Sequence, residues 1–317
     1  MNYSEIFDHA SVLVTGAAGF IGGHLATALS RTVCRLTLVD SADGLSRVAL
    51  HGTARVAMQP LDILDPAFPK LISAERFDYI FHFAGNANVA ASVTDPARDF
   101  EVNLRASVGM LEAIRQSSCE SAVIYASSAA VYGNPVRLPI REEDATVPVS
   151  PYGVGKLALE RYLSVYCRLY GVRGASLRMF SPFGPRLRKQ IVFELMKKLA
   201  TDPSHLTVFG DGSESRDFIY VDDLISAILC VAAQGAMDGA VYNIGRGVQT
   251  PVSEIAENLA TLAGGRATIA YEGRAMPGYP NHWCADVTRL SDLGWKPLIP
   301  LDEGLRRTLE WFRVEYP

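Results

Sequence analysis

The stretch Val12-Leu13-Val14-Thr15-Gly16-Ala17-Ala18-Gly19-Phe20-Ile21-Gly22 decides the fold. Three aliphatic residues in a row, without in–out alternation, read as a strand buried on both faces. Phe20 to Ser30 then reads as a helix. Three glycines lie at the junction, and each has a physical task. One makes a tight turn, one lets backbone approach a pyrophosphate, and one lets helix pack on strand. The helix start offers free N–H groups and the positive end of its dipole to phosphate. A glycine pattern alone is weak evidence; its place between strand and helix makes it a dinucleotide-binding signal.

Outward from this stretch the same alternation repeats. Leu36-Thr37-Leu38-Val39, Tyr79-Ile80-Phe81-His82-Phe83, Ala122-Val123-Ile124-Tyr125 and Ala175-Ser176-Leu177 read as further strands. Ala97 to Ser117 reads as a long helix and Tyr152 to Tyr170 as another. Strand–helix alternation predicts an α/β protein with a Rossmann-type doubly wound parallel sheet. Beyond about residue 180 turn signals cluster at Ser181-Pro182-Phe183-Gly184-Pro185, Gly210-Asp211-Gly212 and Met276-Pro277-Gly278. Helical patterns at 190–200, 222–234, 252–263 and 301–315 alternate with short apolar runs. The expected division is a cofactor-binding domain over 1–180, taking in about 217–245, and a smaller mixed α/β substrate-binding domain mainly over 181–317. A ligand cleft between tightly packed domains follows.

The cofactor contacts expected from position are Gly16, Gly19, Phe20, Ile21 and Gly22 at the pyrophosphate. Asp40 ends the second strand about 20 residues on, where an acid binds the adenosine ribose hydroxyls. Its charge would repel a 2′-phosphate, so NAD is favoured over NADP. Asp62 and Ile63 are expected near the adenine, and Phe83, Ala84 and Gly85 where small residues leave room for the dinucleotide.

Tyr152 and Lys156 are four apart on a predicted helix, hence on one face. An ammonium stabilises tyrosinate and is expected to lower the phenol pKa toward working pH, making the tyrosine a base for a carbinol proton. Ser128 ends a predicted strand at the same sheet edge and can bond the substrate oxygen; Ser127 is the neighbouring alternative.

The 317-residue chain has a formal net charge of −4, which argues against general nucleic-acid binding. The five cysteines are scattered without metal or disulfide spacing, and the six histidines show no metal-ligand pattern, so no metal is expected. His82 reads as a packed strand-end histidine. No secretory signal and no membrane-spanning run are read, and a cytoplasmic enzyme is expected.

These residues resemble the extended short-chain dehydrogenase/reductase superfamily, in its NAD-dependent nucleotide-sugar epimerase/dehydratase branch with UDP-glucose 4-epimerase-like members. The resemblance runs from about Val12 to Trp311. Besides the glycine loop it rests on His82-Phe83-Ala84-Gly85, Ser127-Ser128-Ala129-Ala130-Val131-Tyr132-Gly133 and Pro151-Tyr152-Gly153-Val154-Gly155-Lys156. In the second half it rests on Gly210 to Asp223, Tyr242-Asn243-Ile244-Gly245 and Leu293-Gly294-Trp295. It implies a catalytic Ser128, Tyr152 and Lys156, with Asn103 near the active site among the cofactor contacts. It implies substrate contacts at Asn88, Ser128, Ser181, Arg188, Phe209 and Arg216. Val208 and Phe209 would flank a nucleotide base, and Arg216 would hold a diphosphate, with a salt bridge to Asp217 or Glu214 as its alternative reading. A nucleotide-diphosphate sugar as substrate and a homodimer built from the helices near 97–117 and 152–170 are also implied.

Two alanines narrow the reaction. Relatives that eliminate water often carry acids after the catalytic hydroxyl; here Ala129 and Ala130 stand there and cannot move protons. The expected chemistry is oxidation at C4, sugar rotation and hydride return to the other face: a 4-epimerase with no net NADH. A 4-ketosugar reductase is the alternative, and a non-catalytic NAD-binding protein a further one. Ser181 stands where many relatives have asparagine, as in some uronate epimerases, and Arg188 could pair with a substrate carboxylate. Met276-Pro277-Gly278-Tyr279 replaces the family's Arg-x-Gly-Asp, with Arg274, Arg186 or Arg188 as possible compensation.

Overall fold

Alternate residues of the first strand serve two different cores. In the computed structural model, which describes residues 6–32, 34–117, 120–273 and 282–317, β1 (Ser11–Thr15) is buried throughout. Val12 and Val14 pack with Leu25 and Leu29 of the helix Phe20–Ser30 on one side of the sheet. Leu13 packs with Met110, Ile114 and Leu159 on the other. Helices on both faces are why the strands read as uninterrupted apolar runs.

The sheet has seven parallel strands. After β1 come β2 (Arg35–Asp40), β3 (Arg55–Pro60), β4 (Tyr79–His82), β5 (Ala122–Ser128), β6 (Arg173–Met179) and β7 (Asp238–Ile244). Their spatial order is β7-β6-β5-β4-β1-β2-β3. Direction reverses between β1 and β4, so the crevice beyond their carboxyl ends is the place for a ligand.

Five strands follow the apolar runs. β3 gave no such signal because all six of its residues are exposed at the sheet edge. β4 stops at His82, so Phe83, Ala84 and Gly85 form the turn after it. The helix expected over 97–117 is a rod in three parts: an α-helix Pro96–Phe100, a π-turn Glu101–Arg105 and an α-helix Ala106–Ser117. Asn103 occupies the middle of the π-turn, where the local register shifts.

Beyond β6 the chain builds three small strand pairs: Ser181–Phe183 with Phe218–Tyr220, Ser215–Arg216 with Thr250–Pro251, and His205–Val208 with Thr268–Tyr271. The expected helices lie at Gln190–Thr201, Val221–Gln234, Val252–Leu262 and Leu301–Glu315. Phe193, Leu206, Ile255 and Phe312 share one continuous core with Val12 and Val14. Among the described residues no helix is long and apolar enough to cross a membrane.

Candidate active site

The glycine loop is built by backbone contact. Gly16 has φ +68°, and a Cβ there would lie 2.7 Å from Ala84 N. A Cβ on Gly22 would lie 2.1 Å from Gly16 O. Any side chain at either position would force the loop away from the β4 turn or from its own helix. The helix Phe20–Ser30 has no side-chain cap, so its first N–H groups at Phe20, Ile21 and Gly22 are open to a ligand. That cradle fits a pyrophosphate. At the end of β2, Asp40 Oδ2 accepts from Ala18 N at 2.9 Å and its other oxygen from Ser41 N at 2.7 Å, so acid and glycine loop form one surface. Asp62 shapes a turn by accepting from Leu64 N at 2.9 Å, while Ile63 is buried in the second core.

His82 ties this floor together. Thr15 Oγ1 accepts from Ala84 N at 3.1 Å and donates its proton to His82 Nδ1 at 2.9 Å. Ser107 Oγ donates to the Asn103 carbonyl at 2.9 Å and accepts from His82 Nε2 at 2.8 Å. Donors and acceptors close with a neutral ring. Burial, and secondarily the Lys156 charge, hold the imidazole down at about 3. The packed strand-end reading of His82 is what the structure shows.

Tyr152 and Lys156 are both buried near the start of the helix Pro151–Tyr170. Ser150 caps that helix by accepting from Gly153 N at 3.2 Å, and Pro151 occupies its first position. The Tyr152 hydroxyl faces Ser128 at the end of β5, near enough for Ser128 to influence its ionisation. Lys156 Nζ donates to Ala126 O at 2.8 Å and lies 5.6 Å from the centre of the Tyr152 ring. The structure therefore brings Ser128, Tyr152 and Lys156 together. Ser127 faces away and donates to Glu160 at 2.5 Å. Glu160 in turn takes a two-pronged bond from Arg178, both groups 2% exposed.

One electrostatic expectation is corrected. Burial pushes the Tyr152 phenol up to about 12; the Ser128 hydrogen bond pulls it down and the Asp99 charge adds to the rise. Burial also brings Lys156 down to about 8, against the upward pull of Asp99 and Glu160. The ammonium is turned toward a carbonyl, and its charge does not offset the desolvation of the phenol.

Asn103 is buried beside the Gly85 turn and donates to Asp99 Oδ1 at 2.9 Å and to Asn86 O at 3.1 Å. Asp99 and Asn86 were not singled out from the sequence. An acid within Pro96-Ala97-Arg98-Asp99 looks like any exposed helical charge, and only the tertiary contact makes it internal.

The substrate-side expectations divide. Asn88 caps the helix Val89–Thr94 by accepting from Ala91 N at 3.1 Å. Ser181 is half-buried at the start of its short strand. Arg216 lies over the Trp283 ring at 5.5 Å, and Asp217, its suggested salt-bridge partner, instead accepts three backbone N–H bonds from Arg246, Gly247 and Ala285. Phe209 is exposed, but Val208 is fully buried in the core and cannot flank a base with its side chain. Arg188 is turned to the last helix, paired with Glu315 and set over Tyr316, rather than joined to the Ser128 cluster. Lys189 reaches Ala87 O at 3.4 Å. The Arg186 guanidinium lies where a Cβ on Gly23 would be. Arg274, Met276, Pro277, Gly278 and Tyr279 lie outside the described residues.

Comparison with known proteins gives the same picture. The UDP-glucose 4-epimerase of Mycolicibacterium smegmatis is 32% identical over 309 residues, spanning 95% of this chain and 98% of the relative. The solved UDP-glucose 4-epimerase of Thermotoga maritima with UDP-glucose superposes with a TM-score of 0.86 at 31% identity, over 96% of this chain and 99% of that one. The Bacillus cereus UDP-glucuronic acid 4-epimerase in complex with UDP-glucuronic acid and NAD gives 0.86 at 29%, over 96% and 99%. A model of the NAD-dependent epimerase/dehydratase family matches residues 12–245. That span holds the glycine loop, Asp40 and the Tyr152–Lys156 helix, and the chain belongs to this family of NAD-dependent enzymes.

Proposed function

We propose that the protein is an NAD-dependent nucleotide-sugar 4-epimerase, acting on a UDP-hexose or UDP-hexuronic acid. The observation that carries this reading is the cluster of half-buried Ser128 with buried Tyr152 and Lys156 at the carboxyl edge of the sheet, Ser128 being followed by Ala129 and Ala130. The glycine loop and Asp40 would hold NAD, which would supply a reversible acceptor for the C4 hydride, so that the sugar could take it back on the opposite face. Ser128 bonds the C4 oxygen, and Tyr152 takes the hydroxyl proton as the carbonyl forms and gives it back on return. Lys156 lies 5.6 Å from the centre of the Tyr152 ring, and the positively charged ring of a bound NAD would add the pull toward tyrosinate that Lys156 alone does not supply. Alanines at 129 and 130 leave no acid after Ser128 to expel a C6 hydroxyl.

The cofactor half in this reading is 1–180 with about 217–245, and 181–317 mainly holds the substrate. Arg216 and Phe209 are assigned to the diphosphate and base. Support for UDP comes from the names of the Mycolicibacterium, Thermotoga and Bacillus relatives. A cytoplasmic homodimer is the expected setting.

The test is to incubate the purified protein with UDP-, dTDP-, GDP- and CDP-sugars while following sugar configuration and NADH absorbance. An epimer without net NADH is the expected result and names the substrate. No epimer from any of them, with NADH or NADPH consumed when 4-ketosugars are added, replaces the epimerase with a reductase.

A further inference from the structure

Buried polar atoms are nearly always hydrogen-bonded, so an exception asks for a reason. Among the described residues Asn103 Oδ1, Tyr125 Oη and Ser176 Oγ are buried without a partner. Two of these surround Lys156. A Cβ built on Gly85 would lie 2.4 Å from Asn103 Oδ1 and 4.0 Å from Lys156 Nζ, so amide oxygen and ammonium share one turn. Lys156 Nζ also lies 5.0 Å from the centre of the Tyr125 ring.

Asp99 is the reason the Asn103 oxygen stays open. The amide nitrogen has two hydrogens; one goes to Asp99 Oδ1 and the other to Asn86 O. With both committed the amide cannot flip, and Oδ1 must face Gly85. Asp99 also accepts from Asn86 Nδ2 at 2.8 Å and is 2% exposed. Its second oxygen comes within 3.7 Å of where a Cβ on Gly155 would stand, immediately before Lys156.

The charges around Lys156 come from every neighbouring element. Glu160 on the same helix is paired with Arg178 from β6 and still raises Lys156, less than Asp99 does. His82 on β4 is uncharged, and Tyr125 on β5 and Tyr152 are held as phenols by burial. Asp99, from the rod that carries Asn103, hydrogen-bonds amide groups.

We propose that Asp99 is a positioning residue of the reaction: it locks the Asn103 amide with its oxygen toward Gly85 and Lys156, and its carboxyl group, buried against Gly155, tunes the Tyr152–Lys156 pair. This rests on the proton transfer assigned to Tyr152 above. Asp99 raises both partners, against burial at Lys156 and with it at Tyr152. Without its charge Lys156 loses its proton at lower pH, and Tyr152 ionises at lower pH. Both limbs of the activity bell then move in the acid direction.

The experiment compares wild type with Asp99→Asn and Asp99→Ser, the serine leaving room for water should the amide not fold. Two quantities are read: the pH profile of kcat, and the tyrosinate absorbance titration of the unliganded protein, taken as the difference from Tyr152→Phe. Both limbs and the tyrosinate midpoint are expected to fall by about one pH unit. With each variant read at its own pH optimum, Asn103→Ala combined with Asp99→Ser should lose little more kcat than Asn103→Ala alone, because the locking of one amide is the only other thing Asp99 does. A bell and a midpoint that stay in place, with lower amplitude and additive losses, would overturn the proposal. Wild type in the same assay separates the two readings: absence of epimerisation there sinks the function, while the tyrosinate titration still judges Asp99.

Discussion

Tyr152 sits in a site that, by burial, makes its proton hard to remove, and Ser128 beside it pulls the other way. Tyr152→Phe removes the proton-carrying oxygen and leaves the glycine loop intact. Turnover should fall by about 10²–10⁴-fold while NAD affinity, measured by calorimetry, stays within a factor of a few. Survival of turnover would mean another base. His82 carries a different consequence. Unfolded histidine titrates near ~6.5, whereas burial holds the folded ring at about 3. Between those values the unfolded chain binds a proton that the folded chain refuses, so stability falls as pH drops through that window. At its steepest the loss is about 1.4 kcal/mol per pH unit. Urea midpoints followed from pH 7 downward should show it, and His82→Gln should flatten the slope; equal slopes would remove the assignment. Ser128, Tyr152 and Lys156 were legible because their chemistry imposes spacing and a strand–helix context. Asp99 was not, since nothing in its neighbours separates an inward from an outward acid. Val208 was misread because the sequence does not show that the strand ends on it, with its side chain in the core and Phe209 exposed just beyond the end.

The catalytic helix is held at its third turn by a buried ion pair. Arg178 on β6 reaches Glu160, which also receives Ser127, and its other nitrogen reaches Tyr132 at 2.8 Å. These bonds join two strands, the helix and the loop after Ser128. Arg178→Ala leaves a carboxylate buried without its cation and should cost about 3–5 kcal/mol, read as a lower midpoint in urea. Arg178→Met with Glu160→Leu should recover part of that loss. Recovery failing, with both variants equally unstable, would point to Tyr132 as the partner that matters. Elements with one apolar face or two were readable from periodicity, as β1 and the helix Pro151–Tyr170 show. β3 was not, because its apolar run is only Val56-Ala57-Met58, and as an edge strand it has every residue exposed. The π-turn at Asn103 was invisible for another reason: one added residue shifts the helix register without changing its composition.

Viewed as a whole, the molecule exposes Val154, Tyr162, Leu169 and Tyr170 along one helix, and Phe100 on the neighbouring rod. Large apolar side chains aligned on a surface mark a contact face, and the implied homodimer would cover them. Leu169→Glu with Tyr162→Glu should turn a dimer into a monomer in sedimentation equilibrium; an unchanged mass would place the interface elsewhere. The sequence reading divides the chain near 180 and returns about 217–245 to the first half. β7 leaves the second half and lies against β6, while Phe193 and Phe312 share the core of Val12. For anyone recombining this protein with a relative to change its substrate, a single crossover near residue 180 would separate β6 from the strand that shields its flank. A working chimera has to exchange two separate segments, 181 to about 216 and 246 onward, and keep the polypeptide between them with its original parent.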